Sequence, residues 1–112
     1  MTTFNWDCTN VEVFLSENGN SDVVYNVHWI LTGVSDQLDK EGKEYTSSLD
    51  GWQVLNTDNI NEFIPFADLT NEIVTQWVKD AMGTHQIDVL EYNINGEIAT
   101  QINPITATKK IN

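Results

Sequence analysis

The sequence predicts an α+β fold in which a three-stranded antiparallel β-meander packs against two C-terminal helices. The first half of the chain alternates apolar and polar residues with a period of two, which is typical of half-buried strands. The second half repeats apolar residues every three or four positions, which is typical of amphipathic helices. The chain has 112 residues, a length that suits one domain with one core. We assign residues 1–103 to a single α+β domain and residues 104–112 to a C-terminal tail.

Three segments of the first half have the composition of strands. The first is Val11–Leu15, and the second, Val23–Leu31, follows an Asn- and Gly-rich turn typical of a hairpin. The third runs from Glu44 to Leu55, and Gly51 inside it predicts a bulge or bend. Polar residues 33–43 predict an exposed loop between the last two strands. Alternate residues of the second strand are predicted to form its apolar face: Val23, Tyr25, Val27, Trp29 and Leu31.

Two helices are predicted in the second half. Thr70 is a suitable N-cap for the first helix, and Gly83 is placed to end it. The apolar stripe of this helix is Ile73, Val74, Trp77, Val78, Ala81 and Met82. The second helix is predicted from about Thr84 to Gln101, with Ile87, Leu90, Ile94, Ile98 and Ile102 on one side. Asn95-Gly96 is a hairpin signal, so a strand pair is the alternative for this segment.

The charge of the chain is one-sided. It contains 17 acidic residues, five lysines and no arginine, for a net charge of −12. Nucleic-acid binding needs cations that replace counterions along the phosphates, and anionic membranes attract basic segments. We therefore expect no nucleic-acid partner and no membrane association. The acidity favours either a solvated surface, a face that binds a partner, or mimicry of the charge of DNA.

No residue pattern typical of catalysis or metal binding is present. Cys8 is the only cysteine, so an internal disulfide is excluded and the residue is expected to pack as a small hydrophobic group. His28 is expected on a sheet surface and His85 on a helix surface. The oxygen-rich segments 18–22 and 36–41 are the strongest calcium candidates, yet neither matches an EF-hand loop. We predict a protein that is not an enzyme, with no catalytic residues, no metal and no cofactor.

Two sequence blocks resemble a family of small proteins of tailed phages of the cyanophage type. Residues 24–33 read VYNVHWILTG and resemble the family's V-x-N-V-H-W-x-L-T-G strand. Residues 63–83 resemble its P-F-A-D-L-T…W-V…G segment, and the likeness extends over about residues 22–102. The chain departs from the family at residues 92–96, where relatives usually have an Ala-rich run.

The resemblance implies a virion structural accessory protein, synthesised in the host cytoplasm and located in the virion. Together with the acidic charge, it leads us to expect a capsid decoration, or cement, protein that binds the outer capsid surface, with the major capsid protein as partner. The alternatives are a small tail or neck component, or an acidic host-takeover inhibitor that mimics DNA. A homo-oligomer is also left open.

The expected interface residues are aromatic residues outside the core stripe together with residues of the tail. They are Phe4, Trp6, Phe14, Trp52, Pro104, Ile105 and Ile111. For the DNA-mimic alternative, the carboxylates expected to form a row are Glu12, Glu17, Asp22, Asp36, Asp39, Glu41 and Glu44.

Overall fold

The protein is a two-layer α+β fold. The computed structural model describes residues 2–17, 19–57, 64–104 and 109–111. Its elements are the strands β1 (Thr2–Glu17), β2 (Asn20–Leu38) and β3 (Glu44–Val54), a 3₁₀ turn at Phe66–Asp68, and the helices α1 (Asn71–Met82) and α2 (Thr84–Ile102). The strands form one antiparallel sheet in the order β1-β2-β3. The predicted α+β meander with two C-terminal helices is confirmed.

The strands extend further than their apolar pattern predicts. The exposed loop predicted at residues 33–43 is wrong for residues 33–38, because β2 continues to Leu38, and is confirmed for the five residues that follow as the turn to β3. Gly33 and Ser35, near the start of this segment, are buried positions of the strand. In the turn, the Asp39 carboxylate accepts hydrogen bonds from the backbone N–H groups of Glu41 and Lys43 at 2.8 and 2.9 Å.

A β-bulge changes which residues of β2 face the core. Glu12 of β1 pairs with Asn26, and the next residue, Val13, pairs with Val24, which leaves Tyr25 without a partner on β1. Because side chains alternate between the two faces of a strand, the extra residue shifts the alternation by one position. Val24 therefore belongs to the main core, whereas the predicted face contained Val23 and Tyr25. The predicted core positions Val27, Trp29 and Leu31 are confirmed.

The two helices begin and end at the predicted signals. The Thr70 side chain caps α1 by accepting a hydrogen bond from the N–H of Ile73 at 3.2 Å. Gly83 separates the helices with φ of 89°, a conformation that favours glycine. The alternative hairpin at Asn95-Gly96 is wrong. A type I′ turn needs positive φ at both central residues, and neither has it.

The core lies between one face of the sheet and both helices. Its buried apolar residues are Cys8, Val24, Val27, Trp29, Leu31, Val74, Val78, Leu90, Ile94 and Ile98. The predicted helical stripes supply five of them, while Ala81 is exposed. Burial of this α2 stripe stabilises a helix whose exposed Gly96 would otherwise disfavour it by about 1 kcal/mol.

Two glycines allow close packing on this face of the sheet. Gly51 pairs with Trp29 in regular register, so the bulge predicted at Gly51 is wrong. A Cβ atom there would lie 2.9 Å from the Trp29 ring. A Cβ atom at Gly33 would collide with Cγ2 of Ile94 on α2. Both residues are glycine because other groups occupy the space that a side chain would need.

Amide side chains from the helices bind both outer edges of the sheet. At the β1 edge, Asn71 accepts a hydrogen bond from the N–H of Cys8 at 2.7 Å and donates one to the carbonyl of Trp6 at 3.1 Å. This is the pattern that the peptide group of an additional strand would make. At the β3 edge, Gln101 donates to the carbonyl of Thr46 at 2.8 Å. Such contacts limit further strand pairing at these points.

Replacing Asn71 with alanine is expected to destabilise the fold by about 1–2 kcal/mol, because the N–H of the buried Cys8 loses its acceptor. The measurement is urea unfolding followed by tryptophan fluorescence. Asn95→Ala is the matched control, since Asn95 is exposed within α2; it should be neutral or slightly stabilising. Equal stability of Asn71→Ala and the natural chain would contradict a stabilising role for this contact.

Candidate functional site

The face of the sheet that points away from the helices is the candidate site, and we call it the open face. Both α1 and α2 pack on the opposite face. Its residues, assigned from strand register, are Thr3, Asn5, Asp7, Asn10, Glu12 and Phe14 of β1, Val23, Asn26, His28, Ile30, Thr32 and Val34 of β2, and Thr46, Ser48, Asp50, Trp52 and Val54 of β3. Monomeric sheets can have one solvated face, so the individual side chains decide whether this one has a role.

An exposed tryptophan lies beside a histidine–carboxylate pair on the open face. The side chain of Trp52 is 54% exposed. The His28 ring lies against it, with the ring centroids 5.1 Å apart. His28 Nε2 is 2.9 Å from Oδ2 of Asp50, the residue two positions before the tryptophan. These contacts hold the imidazole between the indole and the carboxylate, and they leave much of the indole accessible.

Two further carboxylates share this face. Asp7 Oδ1 accepts hydrogen bonds from the N–H and the hydroxyl of Thr9 at 3.2 and 2.7 Å. Glu12 Oε1 accepts one from the Asn26 amide at 2.9 Å. In these two residues and in Asp50, the second carboxylate oxygen makes no hydrogen bond to the described part of the chain. The strands contribute no lysine to the face. It is therefore anionic, with acceptors available to a ligand.

The aromatic residues predicted at an interface lie on both faces of the sheet. Phe4 and Trp6 are half-buried against the core, so the expectation that they lie outside it is wrong. They occupy helix-facing positions of β1, in a segment that the sequence pattern assigns to no strand. Phe14 and Trp52 lie on the open face, and Phe14 stacks on Tyr25 with centroids 4.2 Å apart.

Two of the three predicted tail residues lie within the described part of the chain. Pro104 and Ile111 are exposed. Ile105 lies outside the described residues. The sequence does not indicate that Asp7 and Asp50 lie at the candidate site, because their position depends on strand register. For Trp52, the alternation of exposed residues along β3 is the feature of the sequence that could have indicated an exposed position.

The structure places Cys8 and His28 apart from each other. Cys8 faces the helices and His28 lies on the open face, so the sheet itself stands between them. His85 is exposed on α2. In the described ranges, no group of three or more His, Cys, Asp or Glu side chains is placed to hold a metal ion.

A shallow pocket of about 260 Å³ lies at the β1 edge, beside α1. Its lining residues are Cys8, Thr9, Val11, Phe66, Leu69, Thr70, Asn71 and Val74. The Thr70 hydroxyl and the Asn71 amide are already used by the helix cap and the strand edge. Cys8 is the one lining residue whose side chain ionises in the ordinary pH range, and it is 1% exposed.

Burial raises the pKa of the Cys8 thiol, and the nearby Asp7 carboxylate raises it further. A hydrogen bond with Thr75 and the charge of Lys79 lower the pKa, but the net change is upward. The folded thiol therefore ionises at higher pH than the unfolded one. Its contribution to stability is present below the ordinary thiol pKa of about 8.5 and is lost as pH rises through the folded pKa.

Above about pH 9, the unfolding free energy of the natural chain should fall more steeply with pH than that of the Cys8→Ala variant. Parallel pH profiles would contradict this prediction.

The carboxylates proposed to form a DNA-like row are divided between distant parts of the sheet. Glu17 and Asp22 flank the β1–β2 turn, and Asp39 and Glu41 lie in the β2–β3 turn at the opposite end of β2. With 19 residues in β2 and about 3.3 Å per residue, the two turns are about 60 Å apart. The expected row is therefore not continuous, although the net charge is unchanged.

Taken together, these features describe a small α+β protein with a sheet covered by helices on one face and an anionic, aromatic open face. The chain belongs to the family described as a domain of unknown function, DUF7936, whose model matches residues 1–111. No curated protein and no solved structure matches the chain. Within the described residues, neither helix is long and apolar enough to cross a membrane.

Proposed function

We propose that this protein is a virion accessory protein of a tailed phage that decorates the outer capsid surface and binds the major capsid protein through the open face of its sheet. The observation that carries the proposal is the sheet face opposite α1 and α2, with Trp52 at an exposed position on it. The resemblance of residues 24–33 and 63–83 to small phage proteins supplies the virion context.

The distribution of side chains supports binding rather than catalysis. Aromatic residues contribute disproportionately to binding energy at protein interfaces, and Trp52 and Phe14 provide two exposed rings on one face. Cys8 and His28, which a cysteine nucleophile and its base would require side by side, lie on opposite faces of the sheet. The net charge of −12 suits an exterior position, because packaged DNA would repel it.

The test is mass spectrometry of washed phage particles purified from cells that express the tagged chain. The chain is expected in the particles and in isolated heads. Trp52→Ala should reduce its copy number, whereas Tyr92→Ala, which removes an exposed ring from α2, should not. Absence from the particles would overturn the virion proposal, and recovery in the tail fraction alone would replace capsid decoration with a tail or neck role.

A further inference from the structure

We propose that the open face binds an arginine-bearing segment of its protein partner, with a guanidinium group stacked on Trp52 and paired with the Asp50 carboxylate. This inference rests on one part of the proposed function, namely that the partner is a protein. It adds the chemistry of the segment that is bound. It does not depend on the partner's being a capsid protein.

The first argument is the arrangement of the indole and the carboxylate. Trp52 and Asp50 are two residues apart on β3 and point to the same side, which places their Cα atoms about 7 Å apart. His28 fixes both, through its ring contact and its 2.9 Å hydrogen bond. A planar guanidinium on the indole can therefore donate to the carboxylate oxygen that His28 leaves available.

The second argument is charge. Asp7 lies in the same rung of the sheet as Asp50, with Ile30 between them. Two strand spacings place the Cα atoms of Asp7 and Asp50 about 10 Å apart. Glu12 lies in the rung on the other side of Trp52. A bound segment with several basic side chains could therefore pair with the carboxylates of Asp7, Asp50 and Glu12.

The third argument comes from a comparison with Trp6 in the same molecule. The Nζ of Lys79 lies 5.8 Å from the Trp6 ring centroid, so that indole already has a cationic neighbour. Among the described residues, no lysine ammonium lies over the Trp52 ring. An external cation would make the corresponding contact there. Arginine fits better than lysine, because the guanidinium is planar and can both stack and bind a carboxylate through two N–H groups.

A second copy of the chain is a poorer occupant of the open face. Two open faces placed against each other would bring together the carboxylates of Asp7, Glu12 and Asp50 from both copies, with no lysine from the strands to pair with them. Like charges in an interface oppose association. Charge complementarity therefore favours a basic partner.

The experiment is a titration of the full chain with a tetra-arginine peptide that is acetylated at its N-terminus and amidated at its C-terminus. Binding is followed through the indole N–H signals of the four tryptophans in ¹H–¹⁵N NMR spectra, and Trp52→Phe assigns the signal of interest. We expect a saturable shift of the Trp52 signal, weaker binding of the equivalent tetra-lysine peptide, and no binding of the equivalent tetra-glutamine peptide. Added salt should weaken the interaction.

Variants separate the proposed contact from general attraction to an acidic protein. Trp52→Ala and Asp50→Asn should each weaken binding of the tetra-arginine peptide by at least about fivefold. Asp88→Asn is the matched control, since it removes the same charge from an exposed position on α2. Because that charge lies away from the open face, the control should change binding less than about twofold. Circular dichroism of each variant checks that it is folded.

Four results would overturn the inference. They are an unshifted Trp52 signal, equal binding of the tetra-glutamine peptide, equal weakening by Asp88→Asn, and concentration-dependent shifts of Trp52 without peptide, which would indicate self-association. The two proposals fail separately. Peptide binding by a chain that is absent from virions would leave this inference standing, and presence in virions without peptide binding would leave the proposed function standing.

Discussion

Gly33→Ala is expected to destabilise the protein by about 1–3 kcal/mol, the usual cost of overpacking a core. The added Cβ would collide with Cγ2 of Ile94 and would lie 3.2 and 3.4 Å from side-chain carbons of Thr2 and Phe4. Ile94 is itself 1% exposed, so it has little room to move. The measurement is urea unfolding, with the midpoint and slope compared between the natural chain and the variant.

Gly96→Ala is the matched control, because the same methyl group enters open space on an exposed side of α2. It should stabilise the helix by about 0.5–1 kcal/mol. In the double variant Gly33→Ala/Ile94→Ala, the new methyl group partly fills the space that the isoleucine leaves, so the combined loss should be smaller than the sum of the two single losses. A neutral Gly33→Ala would show that α2 does not pack on β2 at this distance.

Leu31→Ala is expected to cost about 2–5 kcal/mol, which is a large part of the stability of a domain of this size. Leu31 is 0% exposed and lies in the central strand, in one rung with Trp6 and Leu49. The truncation leaves a cavity that the neighbouring strands cannot close without breaking their hydrogen bonds. Thermal unfolding followed by circular dichroism measures the effect.

Leu38→Ala makes the same chemical change at the end of the same strand, where the side chain is 58% exposed. Its effect should stay within about 0.5 kcal/mol, because little apolar surface leaves a buried environment. Equal losses from the two variants would contradict the placement of the core beneath the centre of β2.

The sequence predicts the helices more accurately than the strands, for a physical reason. Helix signals are local: Thr70 supplies the cap, Gly83 supplies the positive φ, and the apolar stripe repeats within the segment itself. The ends of β1 and β2 depend instead on pairing between residues far apart in sequence. Glycine commonly marks turns, so Gly33 contributes to the prediction of a loop. Its close contact with α2 cannot be recognised in the sequence of β2 alone.

The candidate site is predictable only in part. Trp52 can be singled out as an aromatic residue in a strand, but Phe4 and Trp6 have the same composition signal and lie on the opposite face. Which face a residue occupies depends on register, and the bulges of β1 and β2 reset it. His28 and Asp50 meet across two strands, a contact that requires the folded sheet.

Residue order and composition are sufficient for the α+β class, the two helices and the strongly acidic charge, because these depend on local periodicity and on counts of side chains. Tertiary structure is required to place the aromatic residues on their faces, to explain Gly33 and Gly51 by close packing, and to bring Asp50, His28 and Trp52 together. Those features arise from pairing across strands and from the seating of α2 on the sheet. Both are long-range interactions, and the sum of local preferences does not specify them.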